Sequence, residues 1–523
     1  MQEKMRCQFV PLSVLVCLLL GLCQFTLLAK AQDIANGYVF HDVNGNGILD
    51  GGEIGIPDVM VSNGSDVAVT DAEGAWSLPV SDDTTLFVIK PSGWMTPVCD
   101  DMLPKFYYVH KPQGSPELKY PGVPPTGPLP DSIDFPLVPS DESGTFDFVL
   151  FGDTQPRNQQ EIDYITHDVV EELVGVNAAF GVTLGDVVYD DLNMFEPINR
   201  AIAHVGLPWY NVIGNHDKNM DVSDDEIADE TWTRVYGPNY YAFEYASTMF
   251  FVLDNVVWTG DKQYHSAIGE LQLKFIKNVL DTVEKDRLVV FLMHIPLTST
   301  RDKEAFFEIV QEYPNLFTTS AHWHRQQHFF YDAEQGWSGD KPLHHLVHGT
   351  VCGSWWRGIR NEFGIPHATQ SDGVPNGYSI VTIQGNQYKI RFKAARRPAG
   401  FQMLIHLPEE IRQAETDTTE VVVNVFAGSP ESRTAMRLNG EGEWITMSQT
   451  ERECPFYLVV HALDTELPES AGLKLPNPNV TAHIWVANLP ANIPEGVHRV
   501  DVQTTDMFGQ TYLDHRLFRV VNQ

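Results

Sequence analysis

The sequence predicts an α/β core between two β-rich domains, and two changes of texture along the chain carry that prediction. From about residue 146, continuous apolar runs alternate with amphipathic helical stretches, which implies sheets covered on both faces. Before that point, and again after about residue 375, helical patterns give way to short alternating runs punctuated by Gly and Asn turns. At 523 residues the chain has length for roughly two to four domains.

The first 31 residues read as a secretory leader. Lys4 and Arg6 precede the apolar run FVPLSVLVCLLLGLC, and Ala29 and Ala31 offer a small-x-small cleavage site before Gln32. That run is short for a membrane anchor, and Leu22 stands before Cys23, where lipid attachment wants a small residue. No later stretch is long and apolar enough to span a bilayer. The mature chain is expected to be exported, periplasmic or extracellular, with no stable membrane anchor.

Residues 32–111 are expected to form an N-terminal β-sandwich. Within it, DVNGNGILDGGE places Asp42, Asn44, Asn46, Asp50 and Glu53 at positions 1, 3, 5, 9 and 12 of a twelve-residue loop. Gly47 falls where such a loop turns sharply, and Ile48 would offer its carbonyl at position 7. The pattern predicts a structural calcium ion that braces this domain; a Gly/Asn-rich hairpin needing no ion is the alternative. Residues 112–145 carry nine prolines up to Pro139 and read as a linker, or a strap lying on a neighbouring domain. A strand there is disfavoured because proline cannot donate to a ladder.

The α/β domain is expected over 146–352 and a C-terminal β-rich domain over 353–523. Three cysteines leave with the leader; Cys99, Cys352 and Cys454 remain, too scattered for a disulfide framework or a metal finger. The formal charge of −34 becomes −36 once the leader's Glu3, Lys4, Arg6 and Lys30 are removed. Such a surface repels nucleic acid and anionic lipid, so no nucleic-acid partner is expected.

Five apolar runs of the α/β domain end in metal-ligating side chains. VLFGD presents Asp153; VTLGDVVYD presents Asp186, Tyr189 and Asp190; NVIGNHD presents Asn215, His216 and Asp217; VVFLMHIP presents His294; TTSAHWHR presents His322 and His324. Strand carboxyl ends are where open α/β sheets place their sites. One such residue is weak evidence, because a lone histidine is usually core and a Gly-Asp pair usually a turn. Five in order are hard to assign to chance.

Read as GDTQ, GDVVY, GNHD, MHIP and AHWH, these motifs resemble the calcineurin-like metallophosphoesterases, of the exported bacterial type with flanking β-domains. The resemblance covers about 146–352 and implies a four-layer α/β/β/α core. It implies that Asp186 bridges two divalent or mixed-valence transition metals (Fe, Mn or Zn). Asp153 and His324 then bind the first, and Asn215, His294 and His322 the second. A bridging hydroxide would attack phosphorus, with the cations about 3.5–4 Å apart. His216 would donate a proton to the leaving oxygen or a hydrogen bond to the phosphoryl group, with Asp217 orienting its ring; a cap or turn is the other reading of Asp217.

Two positions depart from the family pattern. Ala321 replaces a glycine, a mild change. Gln155 replaces the first motif's histidine, and two residues compete for the vacated role. In the purple acid phosphatase branch a tyrosine at the offset of Tyr189 binds the first metal, which would favour iron or manganese; the rival is the amide oxygen of Gln155. Asp190 and Asp191 read as supporting or surface groups.

Arg157 is either a contact to substrate phosphate or a solvated loop residue. Trp355 and Trp356 either wall the cleft or pack between domains. His344, His345 and His348 read as strand packing. The chain is expected to hydrolyse a phosphorylated small molecule or other phosphoester, a phosphomonoester ahead of a phosphodiester. A decayed enzyme serving as a surface- or carbohydrate-binding protein is the alternative of another class. The Asn215–His216 pair and the three later histidines count against it.

Overall fold

The computed structural model describes residues 33–468 and 473–522, so the leader expected over 1–31 lies outside the described residues. Side-chain alternation organises the centre of the molecule. In the strand Thr145–Phe151, successive residues point to opposite faces. Phe146, Phe148 and Leu150 accordingly join one buried cluster, and Val149 and Phe151 another.

That strand is the middle of a five-stranded sheet ordered Trp209–Asn211, Gly181–Thr183, Thr145–Phe151, Gly377–Gln384 and Gln387–Ala394. Its first three strands run parallel and the last two close it antiparallel. A six-stranded sheet faces it, ordered Tyr241–Tyr245, Thr248–Val252, Leu288–Leu292, Leu316–Ser320, Leu343–Val347 and Gln327–Tyr331. Its four inner strands are parallel.

Aromatic rings fill the space between the sheets. Phe148 stacks on Phe180 at 5.2 Å and meets Phe250 of the second sheet edge-on at 5.6 Å. The outer face of the first sheet is covered by helices Gln159–Ile165 and Phe195–Ala203, through Ile162, Ile165, Phe195, Ile198 and Ile202. Helices Glu270–Leu280 and Lys303–Val310 cover the second sheet, with Phe306 edge-on to Phe291 at 4.8 Å. The result is the four-layer α/β/β/α order expected from the sequence.

Three boundaries differ from the sequence reading. The hairpin Gly377–Gln384 and Gln387–Ala394 belongs to the first sheet, pairing Ile380 with Val149, so the core runs well past 352. An alternating hairpin announces itself in sequence, but its partner strand, more than two hundred residues away, does not. Next, the proline-rich stretch contains the strand Phe135–Pro139, parallel to Asp33–His41 in the N-terminal sandwich. Its prolines are tolerated because it is short and its other neighbour is the two-residue strand Trp94–Met95. Finally, the C-terminal domain is not purely β: Pro455–Glu466 forms a helix with proline in its first turn, where the missing N–H is no loss.

The N-terminal sandwich has two four-stranded sheets and shares its apolar cluster with the α/β core. Phe87 meets Phe275 at 5.7 Å, and Lys90 Nζ, itself buried, lies 2.6 Å from Glu142 and 2.7 Å from the Glu244 carbonyl. Within 112–134 the chain acts as a strap. The Tyr120 carbonyl accepts from Thr231 Oγ1 at 3.1 Å and the Pro121 carbonyl from Arg234 Nε at 2.9 Å.

The twelve-residue loop at 42–53 is closed by its own hydrogen bonds. Asp42 accepts the amides of Gly45 at 2.7 Å and Gly47 at 2.8 Å, while Asp50 accepts from Asn44 at 2.9 Å and Asn46 at 2.8 Å. Gly47 has a φ of +74°, the left-handed turn expected at that position.

Among the described residues no helix is long and apolar enough to cross a membrane. Phe148 is fully buried between two aromatic partners, so Phe148→Ala should lower stability by about 3–5 kcal/mol. A shift of that size in the chemical-denaturation midpoint checks it.

Candidate metal centre

Five parallel strands, three from the first sheet and two from the second, deliver ligand-type side chains to one place. Asp153 follows Thr145–Phe151, Asp186 follows Gly181–Thr183, and Asn215 follows Trp209–Asn211. From the second sheet, His294 follows Leu288–Leu292, and His322 and His324 follow Leu316–Ser320. Tight loops bring them together. Asp186, His322 and His324 all hold positive φ, as does Gln155, a concentration of backbone strain that the surrounding contacts must enforce.

The motif glycines are steric requirements. A Cβ at Gly185 would stand 2.4 Å from His294 Nδ1, and one at Gly214 would stand 2.1 Å from the Asp186 amide nitrogen. Neither His294 nor Asp186 can retreat, because both are buried among fixed backbone.

The hydrogen-bond bookkeeping shows what the cluster is built to hold. His294 Nδ1 donates to the Leu184 carbonyl at 2.8 Å, which leaves a lone pair on Nε2. That lone pair faces Asn215 Oδ1 at 3.1 Å, His322 Nδ1 at 3.1 Å and Asp186 Oδ1 at 3.3 Å. His324 Nδ1 donates to the Gly353 carbonyl at 2.6 Å, so its Nε2 lone pair meets Asp153 Oδ2 at 3.0 Å. The buried Asp153 Oδ2 has no other partner among the described residues, so it is satisfied only by a protonated His324 or by a cation.

Six ligand atoms therefore converge in two groups, so close that positive charge, a proton on an imidazole or a cation, must stand between them. Burial costs such groups several kcal/mol each when uncompensated, and a cation in each group satisfies them. Asp186, His294 and His322 alone bring ligand atoms within 4.8 Å of one another. The need for positive charge is visible in His294: burial pulls its pKa down, yet Asp186 and Asp153 push it up to about 9. The donor set of carboxylate, amide oxygen and imidazole suits Fe, Mn or Zn.

Gln155 is part of this cluster. Its Nε2 donates to Asp186 Oδ2 at 3.0 Å, and its Oε1 faces the Cys352 thiol at 3.8 Å. In this arrangement Gln155 orients the shared carboxylate rather than offering an oxygen to a cation. Tyr189 lies flat on the His216 ring, centroids 4.5 Å apart.

The expected role of Asp217 needs correction. Its carboxylate accepts the backbone amides of Gly214, Val187 and Val188 at 2.8, 3.1 and 3.0 Å, tying two ligand loops together. The group that orients His216 is Asp190, whose Oδ1 lies 2.5 Å from Nδ1. Asp190 stands four residues after Asp186 in GDVVYD, and it is reached by Lys262 Nζ at 3.1 Å and by the Tyr120 hydroxyl, which donates to its carbonyl at 3.2 Å.

Arg157 and Trp356 are also corrected. The Arg157 guanidinium is held by Glu161, with Nε 2.8 Å from Oε1, and by the Trp355 carbonyl at 2.9 Å, so it clamps the helix start. Trp356 is buried in the helix-side core, against Tyr164 at 5.6 Å. Trp355 does reach the site, lying on the His324 ring at 4.0 Å. His344, His345 and His348 are buried in or beside the strand Leu343–Val347, where burial pushes His345 down to about 3.

The sequence reading passed over Lys218, directly after GNHD. It is fully buried, 2.7 Å from Asp229, 3.0 Å from Asp254 and 3.5 Å from Asp225. Burial alone would lower its pKa, but Asp229 and Asp254 hold it well above the usual lysine value. The acidic stretch DVSDDEIADE that follows was the available signal.

Two stretches match known families. Residues 43–120 match the N terminal of Calcineurin-like phosphoesterase, and residues 345–512 match the C terminal of Calcineurin-like phosphoesterase. Both matches lie outside the segment that supplies Asp153 to His324, so they are independent of the ligand motifs. No curated protein matches the chain. Among solved structures it is similar to a purple acid phosphatase from yellow lupin (Lupinus luteus) seeds, with 12% identity over 64% of this chain and 71% of that one, at a TM-score of 0.36. It is similar also to a superoxide reductase (neelaredoxin) from Ignicoccus hospitalis, with 10% identity over 23% of this chain and 80% of that one, at a TM-score of 0.13. Neither likeness is close enough to bear on fold or activity.

Asp186 Oδ1 lies in the group of His294 and His322, and its Oδ2 is held by Gln155 from the Asp153 loop, so its replacement should disturb metal binding. Purified Asp186→Asn is expected to lose most of the transition metal that the wild-type protein retains, as measured by elemental analysis of dialysed samples.

Proposed function

From the two segments that match the calcineurin-like phosphoesterases we propose that the chain is a member of that family and hydrolyses phosphomonoesters at the centre formed by Asp153, Asp186, Asn215, His294, His322 and His324. The observation that supports this reading is the convergence of buried ligand atoms in two groups, Asp186 with His294, His322 and Asn215, and Asp153 with His324. Two cations bound there would supply Lewis acidity and an acidified water.

The protein's own part is to hold the ester and move a proton. His216 is fixed on three sides. Its backbone amide donates to Asp186 Oδ1 at 2.9 Å, its Nδ1 is held by Asp190, and its ring lies against Tyr189. With Nδ1 bound to a carboxylate, Nε2 is the atom that can deliver a proton to the leaving oxygen. Asp190 then stabilises the charged ring, and Asp217 keeps the loop from shifting. Gln155 is engaged with Asp186, which leaves Tyr189 as the oxygen donor we assign to the first cation. The leader supports export, and the loop at 42–53, with Asp42 and Asp50 at its centre, supports a bracing calcium ion remote from the chemistry.

Hydrolysis of an aryl phosphate against a bis-aryl phosphate tests the substrate class; cleavage of neither would refute the proposal. His216→Ala should retain metal and slow turnover by about 10²–10⁴-fold for poor leaving groups. The loss should shrink for acidic phenols, which need no proton; equal losses across leaving groups would count against a proton donor. Ferric loading should produce a visible absorption band that Tyr189→Phe abolishes. A colourless ferric wild-type protein would remove Tyr189 from the ligand set.

A further inference from the structure

We propose that Arg357 binds the non-esterified oxygens of the substrate phosphate and sets a preference for dianionic phosphomonoesters over monoanionic diesters. The proposal rests on the hydrolytic reading of the neighbouring centre.

Arg357 lies on the loop that leaves the strand Leu343–Val347 and passes the site. Trp355 and Trp356 both hold positive φ there, +56° and +53°. That strained pair sends Trp356 into the core and lays Trp355 on His324. The Arg357 guanidinium sits over the same Trp355 indole, 5.1 Å from its centroid. Arg157, Tyr189, Tyr457 and Glu161 are the ionisable groups close enough to act on it, and Glu161 is already paired with Arg157. Arg357 thus stands on the aromatic residue that covers His324.

What marks Arg357 is the absence of a counter-ion. Among the described residues it has no ion pair, and its buried Nε has no hydrogen-bond partner. Arg157, nearby, is matched by Glu161. Arg325, over the Trp323 indole at 4.1 Å, also has no ion pair among the described residues, but Asp372 is close enough to act on it. Stacking on an indole orients a guanidinium while leaving its N–H edge free. That edge matches two phosphate oxygens at once. A monoester dianion offers them with a second negative charge, whereas a diester offers fewer free oxygens and one charge.

Titration calorimetry with inorganic phosphate on the metal-loaded full chain is the direct test. Arg357→Met should weaken phosphate binding by about 10–100-fold, the loss expected for charge-assisted hydrogen bonds. KM for the aryl phosphate should rise by more than KM for the bis-aryl phosphate, with metal content and Tm unchanged. Arg357→Lys should fall between, since it keeps charge and loses the fork; it also carries the comparison if Arg357→Met does not fold. Phosphate affinity and the monoester-to-diester ratio both within about twofold of wild type would overturn the proposal. Phosphate binding is read without turnover, so a wild-type protein that cleaves neither ester would refute the hydrolytic reading while the titration still judges Arg357.

Discussion

The structure is arranged around one electrostatic deficit. Two buried carboxylates, an amide oxygen and three imidazole lone pairs face one another at contacts of about 3 Å, such as Asp153 with His324 and His294 with Asn215. At Asp153 Oδ2 only the His324 imidazole stands opposite, so a proton there or a cation must relieve it. Such a cluster is unstable as a piece of protein core and becomes favourable only with positive charge inside it. The strained backbone, the lack of room for a Cβ at Gly185 and Gly214, and the buried loop anchors all follow from keeping those atoms in place.

Keeping them in place is a division of labour between the sheets and the loops. The two sheets meet through aromatic packing and set the spacing of the strand ends. The loops then need special backbone: positive φ at Asp186, His322 and His324, and no Cβ at Gly185 or Gly214. Asp217 and Lys218, adjacent in sequence, anchor the same loop in different directions. Asp217 binds three backbone amides toward the first sheet, and Lys218 gathers Asp225, Asp229 and Asp254 on the other side. Both are buried polar groups whose partners are charged or fixed, the condition under which burial becomes tolerable.

The accessory segments reach the chemistry indirectly. The strap sends Tyr120 to the Asp190 backbone, and Asp190 in turn holds His216. The loop after the last core histidines lays Trp355 on His324 and leaves Arg357 without a counter-ion. Arg157 is neutralised by Glu161 while Arg357 has no ion pair among the described residues, and that contrast is the basis on which Arg357 is proposed to receive an anion.

The sequence by itself determined the layered α/β core, the flanking β-domains and the strand-end positions of Asp153, Asp186, Asn215, His294, His322 and His324. These are carried by local periodicity and by short motifs, which involve only neighbouring residues. Tertiary structure alone decided which strand the hairpin Gly377–Ala394 joins, that a proline-rich stretch pairs as Phe135–Pro139, and that Asp190, not Asp217, holds His216. It also decided that Gln155 turns its amide toward Asp186 and that Arg157 is matched by Glu161 while Arg357 is not. In each case the deciding contact joins side chains or strands through packing and hydrogen-bond direction, and neither is written in the identity or spacing of the residues.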